Sequence, residues 1–180
     1  MKNFLSVISS TLQGGIRGGF LILALLATST LWAQSFQVGD LYYNITSKSD
    51  PYTVSVIGHV CSTENHAGLI SVTIPETVTH NDTTYNVTLI SRYAFSQCQT
   101  LISVVVGNNV SRIAQDAFSF CPSLNKVVLG NKVEEIENWA FDGCTSLHTI
   151  SIPTSLTTIG LGVFAQCPID SIYWNAKRCR

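Results

Sequence analysis

The sequence predicts a β-rich solenoid, built from coils of 23 residues with a narrow parallel sheet along one side. Three observations carry that prediction. The phrase "AFSQCQTL" at 94–101 returns as "AFSFCPSL" at 117–124 and as "AFDGCTSL" at 140–147. Phe95, Phe118, Phe141 and Phe164 keep an interval of 23, as do Cys98, Cys121, Cys144 and Cys167, and Ile90, Ile113, Ile136 and Ile159. Each phrase leads into a short run, "SVVV" (103–106), "KVVL" (126–129), "TISI" (149–152) or "SIYW" (171–174). In these runs inward apolar residues alternate with outward ones, the period of a strand with one buried face.

The elements follow in chain order. Residues 1–33 read as a signal peptide: Lys2 and Arg17 are their only charges, and the apolar run "FLILALLATSTLW" has thirteen residues. A bilayer-spanning helix needs about 20, and Ala33 in "LWAQS" offers a small residue for cleavage. A retained N-terminal anchor is the competing reading, and no Cys follows the run to carry a lipid. A first coil shows in "LISVTIPETV", where Leu69, Val72, Ile74 and Val78 match Leu147, Ile150, Ile152 and Leu156. Val72 and Val104 are 32 residues apart, nine more than the repeat, and the excess falls in "THNDTTYNV", a turn or short hairpin between coils. In the last copy Ile169 takes the place of Leu101, Leu124 and Leu147 one residue early. About five coils result, the first enlarged and the last incomplete. A lone coil buries too little apolar surface to offset the ordering of its backbone, so the coils must stack and draw their stability from neighbours.

Composition narrows the function classes. Apolar residues make up 46% of the chain, charged residues 12%, and the net charge is −1. No basic cluster occurs, which argues against nucleic acid as a partner. Without Lys2 and Arg17, eight basic and eleven acidic residues remain.

The pattern L-x-x-I-x-I-P-x-x-L-x-x-I, spelled by Leu147, Ile150, Ile152, Pro153, Leu156 and Ile159 and preceded by Ala140, Phe141 and Cys144, resembles the BspA-like leucine-rich repeat, also called the Treponema pallidum type. The resemblance covers residues 69–176 and rests on the AF-x-x-C element, which ordinary leucine-rich repeats lack. It implies a β-rich solenoid with the parallel sheet on one side and short turns or 3-10 segments on the other. It also implies a small β lead-in over residues 34–68, marked by "FQVGDLYYNI", and leaves 177–180 as a tail. A bacterial protein that is secreted or displayed at the cell surface is implied, with the periplasm as the alternative location and no transmembrane span in the mature chain. Adhesion to host matrix proteins or to other cells is the implied activity.

No residue constellation speaks for catalysis or a cofactor. The four Cys of the repeat lack the close pairs of a zinc site and read as a buried, reduced stack, although neighbouring coils come within disulfide distance; Cys61 and Cys179 are free or pair elsewhere. His59, His66, His80 and His148 sit in unrelated contexts. Glu134, Glu135 and Glu137 read as a solvated rim, since their neighbours Val133 and Ile136 point inward. "GGIRGG" at 14–19 follows no strand and is no phosphate loop. The sequons at Asn44, Asn81, Asn86 and Asn109 bear only on a eukaryotic source. What remains is surface. The outward strand positions, centred on Ser103, Val105, Lys126, Val128, Thr149 and Ser151, form a flat, mildly apolar ribbon suited to protein or glycan contact on a host or neighbouring cell. A non-binding spacer, or a fragment of a longer surface protein, is the alternative; an enzyme or inhibitor comes after both. The last strand, with Tyr173 and Trp174, reads as an open edge that calls for further chain or for self-association.

Overall fold

A computed structural model describes residues 35–58 and 69–175, all within one compact unit that begins at Ser35. The stretch read as a signal peptide, the tail, and His59, Cys61, His66 and Cys179 lie outside the described residues. Among the described residues every regular element is a strand, and no helix is long and apolar enough to cross a membrane.

The lead-in is a meander. β1 (Ser35–Val38) and β2 (Leu41–Ser47) pair antiparallel around Gly39–Asp40, with Gly39 at a φ of 59°. Their alternation places Phe36, Leu41 and Tyr43 in the core. β3 (Thr53–Gly58) pairs antiparallel with β2 and buries Val54 and Val56. β4 (Ser71–Ile74) opens the first coil, and the extra residues of that coil form an antiparallel hairpin of β5 (Thr77–His80) and β6 (Thr83–Ile90). Its turn residues Asn81 and Asp82 take φ values of 48° and 59°, the paired left-handed geometry that matches strand twist in a two-residue hairpin. β3 lies parallel to β6, so the lead-in joins the solenoid through its own sheet.

The remaining strands repeat. β7 (Ser103–Val106), β9 (Lys126–Val128), β11 (Thr149–Ile152) and β13 (Ser171–Trp174) continue the side begun by β4. Their parallel register aligns Val72, Val104 and Val127, and then Ile150 with Ile172. Between them lie the two-residue strands β8 (Arg112–Ile113), β10 (Glu135–Ile136) and β12 (Thr158–Ile159). Ile90, Ile113, Ile136 and Ile159 align in a second parallel ladder that extends the lead-in sheet, in the order β1-β2-β3-β6-β8-β10-β12, and the short turns expected away from the first sheet are the AF turns. β-Branched residues recurring with an apolar inward face favour extended backbone over a tight helical turn.

The third side of each coil is the AF turn, and it too is laddered. Phe95 donates its N–H to Ala117 O (2.7 Å), Phe118 to Ala140 O (2.8 Å) and Phe141 to Val163 O (2.9 Å). The flanking amides do likewise: Gln97 bonds Ser119 O (2.8 Å) and Phe120 bonds Asp142 O (2.7 Å). Each turn is held by residues in the left-handed region at a 23-residue interval: Tyr93, Asp116, Trp139 and Gly162 in one row, Gln97, Phe120, Gly143 and Gln166 in the other.

Inside, the phenylalanines stack. Phe95–Phe118 and Phe118–Phe141 are nearly parallel at 5.1 and 5.2 Å between centroids, and Phe141–Phe164 follows at 5.8 Å. Phe95, Phe118 and Phe141 are fully buried, while Phe164 and Cys167, in the last full turn, are partly buried.

Candidate functional site

Continuous backbone pairing along the second ladder and the AF turns fixes the coil spacing, so outward side chains on the first side recur at a regular interval. Val105 and Val128 are 39% and 43% exposed, Lys126, Thr149 and Ser151 are exposed, and Ser103 is half-buried. The strip is not the flat band that the residue pattern suggests. β4-β7-β9 form one sheet and β11-β13 another, with no ladder joining β9 to β11. β9 is also one residue shorter than β7 and β11. A depression of about 230 Å³ opens at that break, lined by Lys126, Val128, Thr149, Ser151 and Tyr173 with Asn125 beside them. The facing edges of β9 and β11 therefore offer backbone polar groups without the sheet partners that neighbouring strands have. At the far end Ile172, Tyr173 and Trp174 of β13 are exposed at 44%, 63% and 46%.

The cysteines divide. Cys98 is disulfide-bonded, which corrects the expectation of a reduced thiol there. In the other three the thiol bonds a carbonyl of the preceding coil: Cys121 Sγ donates to Phe95 O (3.1 Å), Cys144 to Phe118 O (3.2 Å) and Cys167 to Phe141 O (3.0 Å). These three are free thiols. The Cys144 thiol is pushed up to about 12, chiefly by its hydrogen bond with the Cys121 thiol. Cys167 is pushed upward by the equivalent bond with Cys144, and burial adds to both. A thiol so held keeps its proton at neutral pH and is a poor nucleophile.

Cys121 and Cys144 are fully buried, so iodoacetamide is expected to spare both in the native protein and to label Cys121, Cys144 and Cys167 in urea. Peptide mass spectrometry reads the difference, and fast native labelling of Cys144 contradicts the assignment. Since an unfolded thiol loses its proton at a lower pH than folded Cys144, the unfolded chain binds fewer protons in alkali. Stability should therefore hold below pH about 8.5 and fall as pH rises toward about 12.

Other polar groups serve the stack. Arg112 bridges two of the three rim carboxylates: its Nε lies 3.4 Å from Glu135 Oε2, and its Nη2 pairs with Glu137. Glu137 also accepts the Gln115 N–H at 2.8 Å, so the carboxylates at 135 and 137 are engaged between coils rather than simply solvated. Asn109 Nδ2 reaches Asn86 Oδ1 (3.1 Å), Asn108 Oδ1 takes the Asn131 N–H (3.0 Å) and Asn138 Oδ1 takes the Leu161 N–H (2.8 Å), each one coil away. His148 Nδ1 lies 2.8 Å from Asp170 Oδ2 on the surface, and His80 stacks on Phe36 at 4.1 Å. Among the described residues no three His, Cys, Asp or Glu side chains converge as a metal site.

Comparison with known proteins agrees with this architecture. No curated protein matches the chain. A leucine-rich repeat protein from Bacteroides capillosus is 29% identical, with a TM-score of 0.68 over 78% of this chain and 98% of its own. The leucine-rich repeat protein of T. pallidum is 27% identical, with a TM-score of 0.60 over 71% of this chain and 54% of its own. The pneumococcal vaccine antigen PcpA, 23% identical, shares the fold at a TM-score of 0.67, and this chain spans only 39% of its length. Residues 65–178, well over half of the chain, match the family model described as "BspA type Leucine rich repeat region (6 copies)". The periodic AF turns and stacked parallel strands are those of that repeat, and the chain belongs to the BspA-type leucine-rich repeat family.

Proposed function

We propose that this protein is an exported recognition module that binds a protein or glycan on a host or neighbouring cell through the strand-side ribbon centred on Lys126, Val128 and Thr149. The observation that carries the reading is the break at the middle of that ribbon, where exposed hydroxyl and β-branched side chains surround a depression of about 230 Å³. Central positions are where anchoring contacts concentrate in interfaces. The charge and length of the first 33 residues support export, and membership of the family supports a surface or secreted location. Five strands at about 4.8 Å spacing give a strip roughly 20–25 Å long, at the small end for a specific interface. Affinity of a single copy is then modest, and multivalent display strengthens it.

The test is an array of immobilised matrix proteins and glycans probed with the full chain. Saturable binding to at least one of them is the expected result. Absence of saturable binding to any contradicts the proposal and favours a spacer.

A further inference from the structure

We propose that Cys98 is joined to Cys61 in a disulfide that staples the lead-in to the first coil, made by a thiol–disulfide oxidoreductase of the compartment that receives the exported chain. The pairing stands on the cysteines and the backbone around them and is independent of the ribbon; the maker of the bond rests on the export reading.

Elimination leaves few partners. The chain has six cysteines. Cys98 is disulfide-bonded, whereas Cys121, Cys144 and Cys167 are free thiols. Within the chain the partner is therefore Cys61 or Cys179. Burial sets aside a cysteine of a second copy, since Cys98 is only 3% exposed and belongs to the apolar core.

The repeat fixes the direction in which these side chains point. Cys121, Cys144 and Cys167 all aim back at the preceding coil, each reaching a Phe carbonyl 26 residues earlier. The backbone at Cys98 repeats theirs: its N–H bonds Phe95 O (3.4 Å) and its carbonyl takes the Leu101 N–H (3.3 Å), as Cys144 does with Phe141 (3.3 Å) and Leu147 (3.0 Å). Cys98 thus aims at what comes before the first AF turn, away from the later coils. Cys61 is the only cysteine that precedes it in the sequence.

The described chain on either side of residue 61 is held at that same turn. Gly58 ends β3 so close to Ala94 that a Cβ there would stand 1.6 Å from the Ala94 carbonyl oxygen. The chain returns at Leu69, whose carbonyl takes the Thr100 hydroxyl (3.3 Å), and at Ile70, whose carbonyl takes the Ile102 N–H (2.8 Å). Ala94 and Thr100 flank Cys98. Three residues from Gly58 to Cys61 span up to about 10 Å, enough to meet the Cα separation of roughly 4.4–6.8 Å that a disulfide needs. Cys179 lies the other way. Asn175 follows β13, three strand spacings or about 14 Å beyond β7 and on the strand side of the coil. The four residues from there to Cys179 reach at most about 14 Å, which the distance along the stack alone consumes.

Forming the bond removes two protons and two electrons from the two thiols. Both pass to the disulfide of the oxidoreductase, which leaves as a dithiol. Oxidising compartments outside the cytosol are where such bonds persist. The product ties the lead-in, which covers one end of the solenoid, to the coil it covers.

The test is peptide mass spectrometry on the full chain, exported by a bacterial host, purified without reductant and alkylated in urea. Trypsin puts Cys61 on peptide 49–92 and Cys98 on peptide 93–112. The expected result is these two peptides linked, with Cys121, Cys144 and Cys167 alkylated. Peptide 93–112 alkylated, or linked to any peptide other than 49–92, overturns the pairing. Reductant is expected to lower the melting temperature of the wild type by roughly 10 °C, and Cys61→Ser to melt at that lower temperature with or without reductant. A wild type that melts unchanged after full reduction contradicts the staple. In a host strain lacking its periplasmic thiol oxidant the linked pair should fall at least tenfold; full linkage there overturns the oxidoreductase as its maker.

Discussion

Phe118→Ala is expected to lower unfolding free energy by about 3–5 kcal/mol. Phe118 is fully buried between Phe95 and Phe141, whose rings lie within 4° of parallel to its own. Truncation removes contacts on both faces at once. The void cannot collapse, because backbone bonds on either side of the ring hold the coil spacing: Phe118 N–H to Ala140 O at 2.8 Å and Phe95 N–H to Ala117 O at 2.7 Å. The Phe118 carbonyl also receives the Cys144 thiol. Val105→Ala, on the ribbon face and 39% exposed, should cost under about 1 kcal/mol. Urea melts compare the two, and equal losses contradict the inside–outside assignment.

Gly58→Ala is expected to cost on the order of 3 kcal/mol, from left-handed strain together with a backbone clash. Gly58 ends β3 at a φ of 87°, and a Cβ there runs into the carbonyl of Ala94, a buried residue of the first AF turn. The obstacle is backbone, so no rotamer change relieves it. Loss of this contact loosens the lead-in from the first coil, which it otherwise caps through the β3–β6 pairing. Gly39→Ala is the control: its φ of 59° brings similar strain but nothing lies within 4 Å of the added carbon. A melt in which both variants fall equally would remove the clash as the cause.

What was legible in the residues was whatever repeats through apolar type. Val72, Val104 and Val127 alternate with polar neighbours, and that period of two led directly to the aligned strands. The interval shared by Phe95, Phe118 and Phe141 led to the stacked rings. Ile113 and Ile136 carried the same interval, but two-residue strands have too little pattern to distinguish extended from turning backbone. The left-handed rows escaped for another reason: Tyr93, Asp116, Trp139 and Gly162 share no chemistry, only a φ that the stack imposes. Their interval of 23 was present in the sequence and could have prompted the question. The break between β9 and β11 has no signal in "KVVL" or "TISI", because it depends on ladder bonds formed between coils. Cys98 looked identical to Cys121, and nothing in the repeat spacing separates the disulfide-bonded Cys98 from the free thiol of Cys121.

The central claim is that the ribbon recognises a partner, and its most direct test is surface plasmon resonance on whichever immobilised matrix protein or glycan the chain binds. Wild type, Val128→Glu with Thr149→Glu, and Glu134→Ala are compared at matched thermal stability. The account predicts at least tenfold weaker binding for the ribbon pair, since carboxylates placed on both sides of the central depression oppose a docked surface, and no change for Glu134→Ala. Unchanged affinity in the ribbon pair would contradict it.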